Sequence, residues 1–250
     1  MIPGGGTEKI LEANFMLQSS LPVVLVDAFV PALAPLVALA FLGAGFALVV
    51  GVVSAGIAFA ARRVRLARWI GGATLATTIG YAALLVGASL ASRDRTLAPG
   101  ERKYFCEIDC HIAYDVTSLE EAGDRGRAVT LRTWFDPETI APFRGDAPLS
   151  PGPRTVALID ESGRRYEPSA EATSVWQKAH GGSTPLSREL RPGESYTTPL
   201  VIERPSDARP ARLFVGDPPG GVEKALIGHE NSPLHGKVYL ALPAARGGTS

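Results

Sequence analysis

Two uninterrupted apolar runs fill much of the first third of the chain. Leu33–Ala61 and Trp69–Ala91 contain no charged residue. Each exceeds the roughly 20 residues that a helix needs to cross a hydrocarbon core of about 30 Å. Between them, RRVRLAR supplies Arg62, Arg63, Arg65 and Arg68. The pattern predicts two transmembrane α-helices, joined as a hairpin over residues 31–92. Ahead of it, LPVVLVDAFVPALAP is apolar but broken by Pro22, Asp27, Pro31 and Pro35. Pro31 and Pro35 suit a helix start better than a helix interior. Residues 1–30 are therefore expected to be an N-terminal tail and an interfacial segment.

From Leu97 the pattern changes to short runs rich in Val, Leu, Ile, Tyr and Thr, punctuated by Pro and Gly. That is the signature of an all-β sandwich. Strands are predicted at Lys103–Ser118, Ala128–Phe135, Thr155–Asp160, Arg165–Glu167, Glu194–Glu203, Ala211–Val215 and Lys237–Leu242. Glu161-Ser162-Gly163 is the expected turn of a hairpin. Leu97-Ala-Pro-Gly-Glu101 and Leu190-Arg-Pro-Gly-Glu194 repeat an L-x-P-G-E signature. Each predicts a tight turn feeding a strand, with Pro and Gly supplying the dihedrals. Ser169–Gly182 lacks a strand pattern and is expected to be a short helix or a surface loop. The sandwich would occupy residues 97–243, leaving 244–250 as a flexible tail.

The order L-x-P-G-E, strand, V-x-L-x-D-x-x-G-x-x-Y hairpin, L-x-P-G-E, strand and closing strand resembles a known group. These are the extracytoplasmic immunoglobulin-like domains of uncharacterised bacterial membrane-anchored proteins. The resemblance implies a membrane-anchored all-β protein, two transmembrane helices followed by an immunoglobulin-like β-sandwich. The group has no agreed activity, so no functional residue follows from it.

Charge bears on orientation more than on partners. The 25 basic and 25 acidic residues cancel, which gives no case for nucleic acid. Arginines in a short loop mark the cytoplasmic side. The Arg62–Arg68 turn then lies inside, and both termini are extracytoplasmic in a two-pass protein of the inner (cytoplasmic) membrane. Arg93, Arg95, Arg102 and Lys103 oppose this orientation from just beyond the second run. The N-terminus carries Glu8, Lys9 and Glu12 rather than a basic leader, so a cleaved signal peptide is not expected, and Met16 is an alternative start. Small residues at Gly43, Ala47, Gly51, Ala55 and at Gly72, Ala76, Gly80 form stripes that would let the two helices pack closely. No Asp, Glu, Lys, Arg or His sits at membrane depth, which speaks against a transporter or channel.

Candidate chemistry concentrates in YFCEIDCHIAYDV. On one regular strand, Tyr104, Cys106, Ile108, Cys110, Ile112, Tyr114 and Val116 share an apolar face. Phe105, Glu107, Asp109, His111, Ala113 and Asp115 share the other. Both cysteines would then be buried core thiols. A disulfide is the second reading; a regular strand sets their Cα atoms about 13 Å apart, beyond the roughly 7 Å that bridging allows, so it requires a turn or bulge at Glu107-Ile108-Asp109. A metal site of Cys106, Cys110 and His111 is the third, with soft sulfur and imidazole suited to copper or zinc. Its C-x3-C spacing resembles the copper loop of cupredoxin-like oxidase subunits, although there the histidine follows several residues later. His180, His229 and His235 form no specific metal signature. G-x-S-x-G and a phosphate-binding glycine loop are absent. Glu120 and Glu121, near Asp124, are expected in a solvated turn.

These observations point to a non-enzymatic interaction module without a cofactor, held by the lipid bilayer and contacting an envelope protein. The alternatives are an extracytoplasmic metal or thiol-redox protein and an accessory subunit of a membrane complex. The orientation is testable directly. A reporter fused after Ser250 is expected to be extracytoplasmic, and neutralising the four loop arginines to scramble it. A cytoplasmic reporter signal from the unaltered chain would overturn the topology.

Overall fold

The computed structural model describes residues 34–105, 111–123, 125–140, 144–182, 184–205, 208–218 and 220–244. The first elements among the described residues are two long helices, α1 (Ala34–Ala60) and α2 (Val64–Ala91). Both are long and apolar enough to cross a membrane. They expose Leu36, Leu39, Leu42, Phe46, Leu75, Ile79 and Leu84 rather than burying them within the chain. A water-soluble core helix would do the opposite.

The link between the helices is only three residues long because α1 ends in a Schellman motif. Arg62 takes a left-handed φ of 57°. The Arg63 amide donates to Ala58 O, and the Arg62 amide to Phe59 O, which together satisfy two terminal carbonyls. Arginine occupies the position that glycine usually takes. Within the pair, a Cβ on Gly51 would collide with Thr74, so the backbones approach there. The two expected stripes do not meet: Gly43, Gly72 and Gly80 have open space around them. Thr74, Thr77 and Thr78 bond back to the carbonyls of Ile70, Ala73 and Thr74, which settles their hydroxyls inside an apolar helix.

Among the described residues, the remaining elements are nine strands, an α-helix and a short 3-10 turn at Val222–Ala225. They are β1 (Arg95–Leu97), β2 (Lys103–Phe105), β3 (Ile112–Ala122), β4 (Gly126–Phe135), β5 (Thr155–Asp160), β6 (Arg165–Tyr166), α3 (Ala170–His180), β7 (Ser195–Glu203), β8 (Pro210–Gly216) and β9 (Val238–Ala241). One sheet has the order β1-β9-β8-β5-β6 and is mixed, since β1 runs parallel to β9. The other is antiparallel, β2-β3-β4-β7. One apolar cluster draws on both, with Phe105, Ile112, Tyr114, Leu131 and Phe135 from the second sheet and Val156, Leu158, Leu213, Val215 and Leu240 from the first. The strands form one compact unit from Asp94, while α1 and α2 form another that also includes Gly220–Gly236.

Local chemistry fixes the connections. In both L-x-P-G-E turns the Glu amide closes the turn, Glu101 onto Ala98 O and Glu194 onto Arg191 O. Each Glu carboxylate also accepts the amide at the turn's start, Ala98 at 2.6 Å and Arg191 at 2.8 Å. Gly100 and Gly193 have φ of 88° and 84°, the left-handed region a type II turn requires. Segment Ser169–Gly182 is helical: the Ser169 hydroxyl caps Ala172 N, and Gly181 ends the helix at φ 69°. Thr173 Oγ1 accepts the Val201 amide and Val201 O accepts from Ser169 N, so α3 covers the β7 edge.

The β5–β6 turn is organised by Asp160. Its carboxylate accepts from the Ser162 amide and hydroxyl, the Arg164 amide and guanidinium, and the Tyr166 hydroxyl. The Ser162 hydrogen bonds, followed by those from Arg164 and Tyr166, outweigh burial and hold the carboxyl far below its usual range. A depressed folded-state pKa stabilises the fold above the unfolded value of about 4 and loses that contribution as pH falls. Asp160→Asn is therefore expected to lower the melting temperature most at neutral pH. The gap from the unaltered protein should narrow below about pH 4. A gap that stays constant from pH 7 to pH 3 would rule out this role.

Candidate functional site

The segment YFCEIDCHIAYDV does not form one strand. Lys103 pairs with Tyr114, Tyr104 with Ala113 and Phe105 with Ile112, all antiparallel. The chain thus folds back on itself between Phe105 and Ile112. Side-chain alternation has the same period on either side of a reversal, so the pattern could not mark it. Cys106 and Cys110 lie outside the described residues. The separation of about 13 Å and the inward orientation expected for them both assumed a continuous strand, and that assumption fails.

The face assignments change with it. Tyr104, expected inside, is 38% exposed, while Phe105, Ala113, Asp115 and His111, expected on the polar face, are buried. His111 is only 2% exposed. Its ring lies 4.7 Å from that of Phe135, centroid to centroid, and its carbonyl accepts the Asp136 amide at 2.8 Å. Asp115 makes a two-pronged ion pair with Arg132 on the neighbouring strand, both contacts at 2.8 Å. That hydrogen bonding raises the Arg132 pKa further.

Two cations enter the core beside Phe105. Lys103 Nζ donates to Val215 O at 2.6 Å and Val238 O at 2.8 Å. These carbonyls lie just past Phe214↔Tyr239, where the β8–β9 pairing stops. The ammonium thus bonds the two backbones at the point where the β8–β9 pairing ends. Arg154 pairs with Asp217 at 2.6 Å, its guanidinium 4.3 Å from the Phe105 ring centroid.

On the opposite face of the second sheet, Tyr104, Ala113 and Trp134 lie side by side in register. The Tyr104 hydroxyl donates to Asp136 Oδ2 at 2.7 Å, and the Arg102 guanidinium stacks 3.7 Å from the Trp134 ring centroid. Burial, then the bond to Asp136, pushes the Tyr104 hydroxyl up, keeping it a donor at neutral pH. Asp136 also accepts the Glu138 amide at 2.9 Å, which fixes its carboxylate. In the sequence Arg102 stands out only as a charge beyond the second apolar run, and Trp134 and Asp136 do not stand out as site residues. Trp134, alternating with the core residue Phe135, was the available signal for an aromatic on the outer face.

Comparison with known proteins adds little to this geometry. No protein-family model matches the chain, and no curated protein matches it. Among solved structures it is similar to the secreted protein MPT63 of Mycobacterium tuberculosis, at 11% identity and a TM-score of 0.37, over 59% of this chain and 97% of that one. A conserved hypothetical protein of Bacillus anthracis gives 17% identity and a TM-score of 0.28, over 46% of this chain and 90% of the other.

The other singled-out residues are dispersed. His180 stacks on Trp176 at 3.8 Å within α3. Glu121 pairs with Arg127 across the β3–β4 hairpin at 2.8 Å. Among the described residues, no three His, Cys, Asp or Glu side chains are grouped to hold a metal ion.

His111→Ala is expected to open a cavity against Phe135. The loss should be on the order of 1–3 kcal/mol, read by denaturant unfolding. A variant indistinguishable from the unaltered protein would contradict this packing role.

Proposed function

We propose that this chain is an anchored interaction module of the bacterial cytoplasmic membrane. Its α1–α2 hairpin spans the bilayer, both termini lie outside, and an immunoglobulin-like β-sandwich meets an envelope protein. The lipid span is supported by the bare apolar surface of both helices. The sandwich is supported by strand order: β3-β4-β7 and β5-β8-β9 correspond in sequence and adjacency to strands A-B-E and C-F-G of immunoglobulin domains. Helix α3 lies between β6 and β7 in the chain and packs on the β7 edge, where a fourth strand would otherwise be expected.

One observation carries the binding role, the outer face of Arg102, Tyr104 and Trp134. Tyr, Trp and Arg are the residue types that dominate interface energetics. Here they are held in place beforehand, Tyr104 by Asp136 and Arg102 by the indole. Side chains already fixed lose less conformational entropy when a partner arrives.

The test uses the tagged full-length chain, extracted from native membranes in mild detergent. A complex heavier than the chain itself is expected, and Trp134→Ala or Tyr104→Ala should each weaken it by about tenfold or more. Both substitutions are outside the apolar core, and an unchanged melting temperature would confirm an intact fold. A complex that survives both would instead favour the accessory-subunit reading, with assembly through the helices. A mass equal to the chain alone would overturn the interaction role.

A further inference from the structure

The outer face of the β1-β9-β8-β5-β6 sheet carries cations that the chain does not neutralise. Val156, Leu158, Leu213, Val215 and Leu240 point into the main cluster, so the residues alternating with them point the other way. There Ala157, Ile159, Phe214 and Tyr239 form a second apolar cluster. Its rings are nearly covered, Phe214 at 4% and Tyr239 at 9% exposure. Guanidiniums lie over both. That of Arg212 is 3.7 Å from the Tyr239 ring centroid, and that of Arg165 is 4.9 Å from the Phe214 centroid. The two rings are 6.0 Å apart. Strand register brings the arginines to this face together: Ile159 is opposite Arg212 on β8 and opposite Arg165 on β6.

The pairing of charges on this face differs from that elsewhere in the strand unit. Arg127, Arg132, Arg154 and Arg164 meet Glu121, Asp115, Asp217 and Asp160 at 2.6 to 2.9 Å. Arg212 has Asp94 at 3.4 Å, and that carboxylate also accepts the Lys237 amide. Arg165 has no acidic partner among the described residues. The one acid in the five strands, Asp160, is taken up by the β5–β6 turn. A ring below a guanidinium attracts its charge but accepts none of its N–H donors in the way an oxygen does. Arg165 and Arg212 are thus positioned by the sheet, with donor capacity left for an anionic group.

We propose that this face binds an acidic segment of an envelope protein, with carboxylates received by Arg165 and Arg212. The apolar floor is already covered, so the face offers a partner charge rather than hydrophobic area. The two arginines stand two strands apart in one row, about 10 Å between Cα atoms. A segment with several carboxylates suits that spread, because same-side residues of an extended chain repeat at about 7 Å. Each carboxylate can take two parallel N–H bonds from one guanidinium. Stacking on a ring orders each guanidinium beforehand and lowers the entropy lost on binding. The inference rests on the interaction-module reading for the class of partner, and on a different sheet from Arg102, Tyr104 and Trp134 for how that partner is held.

The full chain in neutral detergent is titrated against a fluorescent peptide of alternating Glu and Thr, with a Gln-Thr peptide as its uncharged counterpart. Anisotropy is expected to show binding of the Glu peptide alone, weakening as salt rises. Arg165→Gln and Arg212→Gln should each weaken it by about threefold or more. Lys178→Gln, at an exposed cation on α3, should leave it unchanged. Since each arginine shields a ring, the unaltered chain supplies a second measurement. Phenylglyoxal modification, mapped by peptide mass, should be slowed at Arg165 and Arg212 by the Glu peptide. Binding that survives both arginine substitutions, or that Lys178→Gln weakens equally, would overturn the proposal. Protection by phosphatidylglycerol added to the micelles, but not by the peptide, would assign the face to lipid headgroups and overturn it as well. Absence of any peptide binding would overturn this face and leave the Arg102, Tyr104 and Trp134 surface standing, since the membrane-extracted complex reads that surface separately.

Discussion

The strand unit depends on the larger of its apolar clusters, which draws on both of its sheets. Phe105, Ile112 and Tyr114 from one sheet and Val156, Leu158 and Val215 from the other belong to it. Two short strands, β1 and β2, add little ladder of their own. They are retained by what they contribute to this cluster: Leu97 and Phe105 are buried, and Lys103 reaches from β2 to carbonyls at the ends of β8 and β9. A buried ammonium is costly unless its donors are used. Here two of them meet the Val215 and Val238 carbonyls, so the charge is met by hydrogen bonds and ties β2 of one sheet to β8 and β9 of the other.

The helical unit answers a different constraint. In α1 and α2 the backbone satisfies itself, threonine hydroxyls fold back on the preceding turn, and the side chains turn outward. That solution suits an apolar surrounding and is poor in water. Closeness within the pair comes at Gly51, where Thr74 occupies the space a side chain would fill. Spacing in sequence named Gly51 as one of several candidates. Which of them touches depends on how the helices are rotated, and small-residue spacing does not specify rotation.

Features governed by neighbouring residues were legible in the sequence. Thr155–Asp160 appears with the expected ends, because Asp160 and Gly163 write the turn that stops it. Both L-x-P-G-E turns form as their prolines and glycines require, and Ser169 and Gly181 delimit α3. Features that depend on distant residues were not. The fold-back between Phe105 and Ile112 lacks Gly, Pro and Asn, so Asp109 was the only local turn signal, and unbroken alternation through it favoured one strand. Strand β1 exists because β9 is there to receive it. The burial of His111 followed from the same missed reversal.

That reversal also made the candidate site. A continuous strand would have placed Tyr104 in the core and left Trp134 without an aromatic neighbour across the sheet. Folding back moves Tyr104 outward, into register with Ala113 and Trp134, and sends Phe105 inward to the cluster. The same change buries a cation beside Phe105 and exposes an aromatic pair on the other face. A surface of Arg, Tyr and Trp is ordinarily adaptable. Here each member is backed by a partner that has its own structural duty: Asp136 closes the turn after β4, and Trp134 is paired within the sheet. The rigidity of the outer face therefore comes from the strand pairing itself, and a partner docking there would meet side chains whose ordering was completed during folding.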